Sequence, residues 1–277
     1  MIKLVITDLD DTLYSWIGFF VPAFYNMVQE LSKILDISEE ELLIEYKAVH
    51  QNAGSVEYPY ATLNLPAIKK KFPEYSKEQI QEVLNPAFHS FNSVRKDKLQ
   101  LYPNVNGFLE FLTLHNIAVV GYTESAEENG FYRLQKLNID QYFKKLYVSD
   151  SQYVRPNNIP SSSKTQIVHG KKPNPDLLQQ ICDNENISLN EAIYIGDSLT
   201  KDIFMAKQAG ILSVWLNYAI DNGDLYKKLV AISHWSEEDF IREKQIKEQW
   251  INSGLSPDFT IKSFSEVIEI ISKINNY

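Results

Sequence analysis

The chain has 277 residues, 44% of them hydrophobic and 23% charged, with a formal net charge of -9 and a pI near 5.1. This composition excludes a predominantly disordered chain. The acidic balance argues against a nucleic-acid scaffold or a binder of anionic membranes and favours a small-molecule ligand. Cys182 is the only cysteine, which excludes an internal disulfide and a Cys/His zinc cluster and fits a reducing compartment.

In chain order, Ile2 to Thr7 is a short apolar run that reads as a buried strand. Only Lys3 charges its start and no small-residue cleavage site follows, so it does not read as a signal peptide. No later apolar run reaches the length of a membrane span, and the expected location is cytoplasmic. The interval 15–99 reads as several helices without a convincing strand. Two helix starts are marked there by Ser38 with Glu41 and Ser76 with Gln79, which have capping-box spacing. Asn52 to Pro59 reads as a loop between them. This interval is the expected helical cap, inserted into a discontinuous core made of 1–14 and 100–277.

Beyond it, strand-like runs at Ile117 to Tyr122, Leu146 to Val148, Ala192 to Ile195, Ser213 to Leu216 and Phe259 to Ile261 alternate with amphipathic helices. The helices are Val105 to His115, Glu127 to Leu137, Pro175 to Glu185 and Thr200 to Ala209, the last stopped by Gly210. This alternation predicts an α/β fold, a doubly wound Rossmann-like parallel sheet. Two stretches, 151–171 and 221–256, read as long loop or insert segments, the second carrying a helix from Ser236 to Ile251.

The first strand delivers Asp8-Leu9-Asp10-Asp11-Thr12 at its carboxyl end, where ligands bind in open α/β sheets. Alternate residues of an extended chain share a face, so Asp8 and Asp10 address one ligand while Leu9 points away. One carboxylate can attack phosphorus while the other donates a proton to the leaving oxygen. The run Ile195-Gly196-Asp197 brings a third acid out of a second strand end, with Asp202 shortly after. Converging carboxylates repel unless a hard cation sits among them, and a few carboxylates with water and phosphate make the usual Mg²⁺ environment. Asp202 taken alone also reads as an acid complementing a helix dipole. Thr123 follows an apolar run and is placed to hold a phosphoryl oxygen, although alone it reads as a turn threonine. Lys172 precedes a helix and is placed to neutralise phosphate and nucleophile, with Lys171 as its competitor.

Taken in order, these residues resemble the haloacid dehalogenase superfamily over nearly the whole chain. Asp8 to Thr12 matches its DxDxT motif, Thr123 its second-strand Thr/Ser, Lys172 the lysine of a KPxP turn, and Asp197 with Asp202 its GDxxxxD motif. The position of the inserted helices is similar to the helical cap of the first subclass. The resemblance implies a Mg²⁺-dependent phosphate-monoester hydrolase with an aspartyl-phosphate intermediate. In that reading Asp8 is the nucleophile and Asp10 the general acid and base. Mg²⁺ is held by Asp8, the backbone carbonyl of Asp10 and Asp197, with Asp202 in support. Thr123 and Lys172 grip the phosphoryl group, and the substrate is a small phosphate ester such as a nucleotide or sugar phosphate.

Asp10 disfavours dehalogenase activity, since the superfamily's halide-removing members typically lack this carboxylate. A phosphomutase shares the same motifs and stays open. Glu124 stands where many relatives have asparagine and puts a negative charge near the phosphate site, which keeps a low-turnover binding or regulatory protein as a rival. His50, Tyr58 and Tyr60 are candidate substrate selectors in the cap, although aromatic residues there more often pack.

Overall fold

The computed structural model describes residues 1–58, 60–150, 162–218 and 222–277. The chain opens with strand β1 (Leu4–Thr7), followed by four helices, α1 (Trp16–Leu35), α2 (Glu39–Ala53), α3 (Pro66–Lys71) and α4 (Lys77–Lys98). Helix α5 (Val105–Leu114) then leads into β2 (Ala118–Ala126), α6 (Glu127–Lys136), β3 (Lys145–Ser149), β4 (Thr165–Val168), α7 (Pro175–Glu185) and β5 (Ala192–Gly196). A π turn over Leu199–Ile203 runs into α8 (Phe204–Ala209). The chain closes with β6 (Leu212–Leu216), α9 (Gly223–Ile232), α10 (Glu237–Ser253), β7 (Phe259–Ile261) and α11 (Phe264–Asn275).

The described strands form one seven-stranded sheet in the order β4-β3-β2-β1-β5-β6-β7, every pair parallel. This is the doubly wound α/β sheet that the alternation predicts. Side chains on β1 alternate between layers: Val5 joins a core with α5 and α11, while Leu4 and Ile6 join one with α7 and α8. Both faces are therefore covered, which is why the central strands read as continuous apolar runs.

Local chemistry accounts for the helix starts. Ser76 and Gln79 satisfy each other's backbone N–H in a full capping box, whereas at Ser38 the N–H of Glu41 is capped at 3.2 Å without the reciprocal bond. The stretches read from sequence as long loops hold more structure than expected. β4 lies in the first, whose residues 151–161 fall outside the described ones; in the second, of which Asp221 is likewise outside, α9 is unexpected, whereas α10 matches the helix read from Ser236 to Ile251. β4 pairs only with β3 at the sheet edge and leaves Ile167 half exposed, so its four residues carry little apolar signal.

Helix α9 docks on the helices that follow β1. The hydroxyl of Tyr25 donates to the carbonyl of Lys228 at 3.0 Å, and Leu229 and Ile232 are buried. His50 is fully buried, and its Nδ1 lies 2.7 Å from the carbonyl oxygen of Ile232. Because a carbonyl only accepts, Nδ1 carries the proton. Burial pushes the imidazole down from 6.5 to about 4, against the pull of its bond to Ile232. The unfolded chain therefore takes up this proton first. His50 contributes stability in full above pH 6.5, and the contribution is lost as the pH falls towards 4, up to about 3 kcal/mol. Thermal melts from pH 7 to 4.5 should show a shallower decline for His50→Phe than for the wild type; parallel declines would contradict this account.

Candidate active site

The strand register gathers the acidic residues. Thr7 is level with Gly121 of β2 and Ile195 of β5, so Asp8, Thr123 and Asp197 all emerge at the carboxyl edge of three adjacent strands. The turn after β1 is held by the backbone N–H groups of Thr12 and Leu13, both donating to the carbonyl of Leu9. Asp11 sits at φ 58, a left-handed position that Asp tolerates, and its carboxylate accepts from Ser15 and from the N–H of Ile17. Leu9 points into the core, as alternation requires.

Asp8, Asp197 and Asp202 each offer a carboxylate oxygen within 4.8 Å of the others. Lys172 is buried among them, with Nζ 2.6 Å from Asp8 Oδ1 and 2.8 Å from Asp202 Oδ1. It also lies over the ring of Tyr122, 4.8 Å from its centroid. Burial works against its positive charge, but Asp202 and Asp8 outweigh that and hold its pKa well above the ordinary lysine value. Lys171 is instead exposed and pairs with Asp239 at 3.3 Å.

One ammonium does not balance three carboxylates. Burial pushes Asp8 up to about 8, with Lys172 pulling it down and Asp202 and Asp10 pushing it further up. Burial, then Asp202 and Asp8, raise Asp197 well above its usual range. A cluster with this excess of negative charge is chemically suited to a divalent cation with oxygen preference. The hydrogen bonds show which oxygens are committed. Asp202 accepts from Lys172, from the hydroxyl of Tyr194 at 2.9 Å and from the N–H of Ser198 at 3.1 Å. It is thereby fixed as a support for Lys172. Asp8 Oδ2 and Asp197 Oδ1 share the hydroxyl of Thr12, at 3.2 and 3.3 Å, and the carbonyl of Asp197 accepts from the indole of Trp215. Asp202 folds so closely over Gly196 that an added Cβ there would lie 2.5 Å from Asp202 Cβ, which explains the glycine.

The side chain of Asp10 has a set of donors of its own. Its Oδ1 accepts from Arg133 Nη1 at 2.6 Å, and Oδ2 from Ser125 at 2.7 Å and Thr123 at 3.2 Å. The carboxylate of Asp10 is thus held in place by three side-chain donors. Arg133 is almost fully buried and also reaches Glu57, with Nη2 at 2.9 Å from Oε2. Despite its burial the guanidinium stays charged, because Asp10 and Glu57 flank it. Arg133, Ser125 and Glu57 escape the motif reading of the sequence. The one available signal is that Arg133 shares the buried face of α6 with Gly130 and Leu134.

Two other sequence expectations meet a different geometry. Thr123 lies inside β2, which continues to Ala126 past an irregularity in its pairing with β3, and its hydroxyl accepts from the N–H of Ser125 while donating to Asp10. Glu124 is not a bare charge beside the site: its Oε1 accepts from the N–H of Lys172 at 3.0 Å and Oε2 lies 3.7 Å from Lys201 Nζ. It anchors the turn that presents Lys172. Among the described residues, no helix is long and apolar enough to cross a membrane.

Comparison with known proteins is consistent with this arrangement. The family described as haloacid dehalogenase-like hydrolase matches residues 2–210. A glyceraldehyde 3-phosphate phosphatase of Methanopyrus kandleri is 27% identical, the alignment covering 77% of this chain and 83% of that protein. A phosphoglycolate phosphatase of Vibrio parahaemolyticus is 25% identical over 98% of this chain and 96% of its own. In fold, the chain is similar to a crystal structure of 2-haloacid dehalogenase from Pseudomonas syringae, with a TM-score of 0.57 at 20% identity, covering 99% of this chain and all of that one.

Proposed function

Since the chain belongs to the haloacid dehalogenase-like hydrolases, we propose that it is a Mg²⁺-dependent phosphatase of small phosphate monoesters that works through a phosphoryl group on Asp8. The observation that carries this reading is the buried contact of Asp8 with Lys172 inside an acidic cluster, at 2.6 Å. Curated relatives named as phosphatases of glyceraldehyde 3-phosphate and phosphoglycolate support the same reaction class. The division into a core of 1–14 and 100–277 and a helical cap of 15–99 is part of the proposal, with α9 packing on the cap helices from the core side.

In this mechanism a carboxylate oxygen of Asp8 attacks phosphorus and the ester P–O bond breaks, the electron pair leaving with the alcohol oxygen. Asp10 delivers a proton to that oxygen. In the second step Asp10 takes a proton from water as the water oxygen bonds to phosphorus, and the bond to Asp8 breaks, releasing inorganic phosphate. Lys172 offsets negative charge on the transferring group, and Asp202 keeps Lys172 aimed at it. Asp8, Asp197 and the carbonyl of Asp10 would hold Mg²⁺, which supplies charge neutralisation and fixes the phosphoryl oxygens. Thr123 acts by orienting Asp10 through its hydroxyl and by lining the phosphate site from within β2. A phosphomutase would use the same groups; the relatives named as phosphatases favour hydrolysis.

Incubation of the purified protein with a panel of phosphate monoesters should release phosphate with Mg²⁺ and not with chelator, and absence of release across the panel would sink the reading. Saturating Mg²⁺ should also raise the melting temperature. At a hundredfold excess over its dissociation constant the added stability is about 2.7 kcal/mol, and Asp197→Asn should lose most of this shift. An equal shift in the variant would place the cation elsewhere.

A further inference from the structure

Lys172 lies in the segment 169–174, outside both β4 before it and α7 after it. β4 is the edge strand of the sheet, yet Lys172 Nζ meets Asp8 beyond β1, three strands further in. How such an inward reach is aimed depends on where the backbone of the turn is held. The residue is 3% exposed, so its backbone N–H and C=O need partners. Outside strand and helix, it takes them from side chains. Its N–H donates to Glu124 Oε1 at 3.0 Å, and its carbonyl accepts from Arg242 Nη2 at 2.8 Å.

Arg242 is carried by α10, and the next residue of that helix braces the other half of the Lys172–Asp202 ion pair. Glu243 Oε1 lies 2.9 Å from Lys201 Nζ, and Lys201 directly precedes Asp202, which accepts from Lys172 Nζ at 2.8 Å. Lys201 Nζ also lies 3.7 Å from Oε2 of Glu124. These contacts close a ring from Arg242 through the Lys172 backbone, Glu124 and Lys201 back to Glu243. Their weights differ. The side chain of Glu243 is 45% exposed, so its pair is screened by water. The bond from Arg242 carries a full positive charge and ends on the backbone of a buried residue. α10 has a seat of its own: Ser236 and Asp239 form a capping box at its start, Ile246 is buried, and the ring of Trp250 meets Phe204 of α8 edge-on. A side chain on such a helix is a firmer support than one on a loop.

We propose that Arg242 is a positioning residue for Lys172: from α10 it fixes the backbone carbonyl of the turn and so sets where the ammonium meets the transferring phosphoryl group. This deepens the phosphatase reading and rests on it. The need for a backbone tether follows from the reaction. When an Asp8 oxygen bonds to phosphorus, the carboxylate becomes a neutral acyl group, and the negative charge to be offset lies on the phosphoryl oxygens. The contact of Lys172 with Asp8 at 2.6 Å then loses its charge partner. What still aims the ammonium is Asp202, together with the hold of Arg242 and Glu124 on its backbone.

The test compares the full chain with Mg²⁺ as wild type, Arg242→Met, Arg242→Lys and Glu124→Met, reading kcat, the inhibition constant of inorganic phosphate and the melting curve. Arg242→Met should lose about ten- to a hundredfold in kcat, the cost of a small displacement of a group that acts on the reacting atoms. Phosphate should also inhibit it severalfold less tightly, because the same ammonium grips the bound anion. Arg242→Lys keeps a charged donor and should recover part of both losses. Glu124→Met cuts the other tether, from β2, and should show the same pair of changes without touching α10. A merely structural role would lower kcat in step with the folded fraction and leave the phosphate inhibition constant unchanged, and that result would overturn the inference. Wild-type turnover with Arg242→Met within about twofold of its kcat would overturn it too, and would leave the phosphatase reading standing. A wild type that hydrolyses no ester of a wide panel would overturn both.

Discussion

Asp8→Asn will abolish phosphate release while leaving the fold intact. The amide has neither the charge nor the lone-pair basicity to attack phosphorus, and covalent catalysis has no other nucleophile at that point. Loss of a nucleophile in a unit of cooperating groups costs on the order of 10⁶-fold in kcat. The melting temperature should not fall in parallel. Burial and the neighbouring Asp202 and Asp10 push the Asp8 carboxyl up to about 8, against the pull of Lys172, so replacing it with a neutral isostere relieves crowding of like charge. A variant that keeps its rate within about tenfold of the wild type would remove Asp8 from the role of nucleophile. Asp10→Asn should lose less, roughly 10²–10⁴-fold, as expected for a proton-transfer group.

Arg133→Met is expected to damage stability and rate together. The guanidinium is 2% exposed and binds both Asp10 and Glu57. Removing it takes away the cation that Asp10 and Glu57 share. Breaking a buried pair in this way costs about 3–5 kcal/mol, which for a chain of this size lowers the melting temperature by roughly 6–20 °C. The rate should fall as well, by about tenfold or more, because Asp10 loses the shortest of its three anchors. Glu57→Gln in the same chain should recover part of the stability, since it removes one uncompensated charge, but not the rate. Melting curves and kcat for the single and double variants test both effects. A single variant melting within about 1 °C of the wild type would show that the pair is not buried as described.

Much of the sheet was legible because buried parallel strands are apolar throughout and helices repeat at a different period. Val5 and Ile6, or Ile193 and Tyr194, are enclosed by helices on both faces, and their runs say so. Asp8 and Asp197 were legible as strand-end acids because each follows an apolar run, with Gly196 marking the turn before the second. What escaped depends on contacts distant in sequence. β4 has one strand neighbour and a half-exposed isoleucine, so its composition resembles a loop. α9 begins at Gly223 with no side-chain cap, and its place is set by Tyr25 and His50, far earlier in the chain. Arg133 reads as a helix-surface cation until Asp10 and Glu57 are seen around it, 123 and 76 residues away. The uncommon Glu124 looked like a charge aimed at phosphate, and only the fold shows its carboxylate bound to the backbone of Lys172. His50 showed no sign in sequence that one of its ring nitrogens would be tied to α9.

The central claim is that phosphate passes through Asp8. The most direct measurement is to mix the full chain with Mg²⁺ and a hydrolysable ester, quench within the first turnover in acid, and locate the phosphoryl group by peptide mass spectrometry. The account predicts one phosphoryl group on the peptide that contains Asp8, absent when chelator replaces Mg²⁺ and absent in Asp8→Asn. Turnover with no phosphoryl group on that peptide, or with one on a different residue, would contradict it.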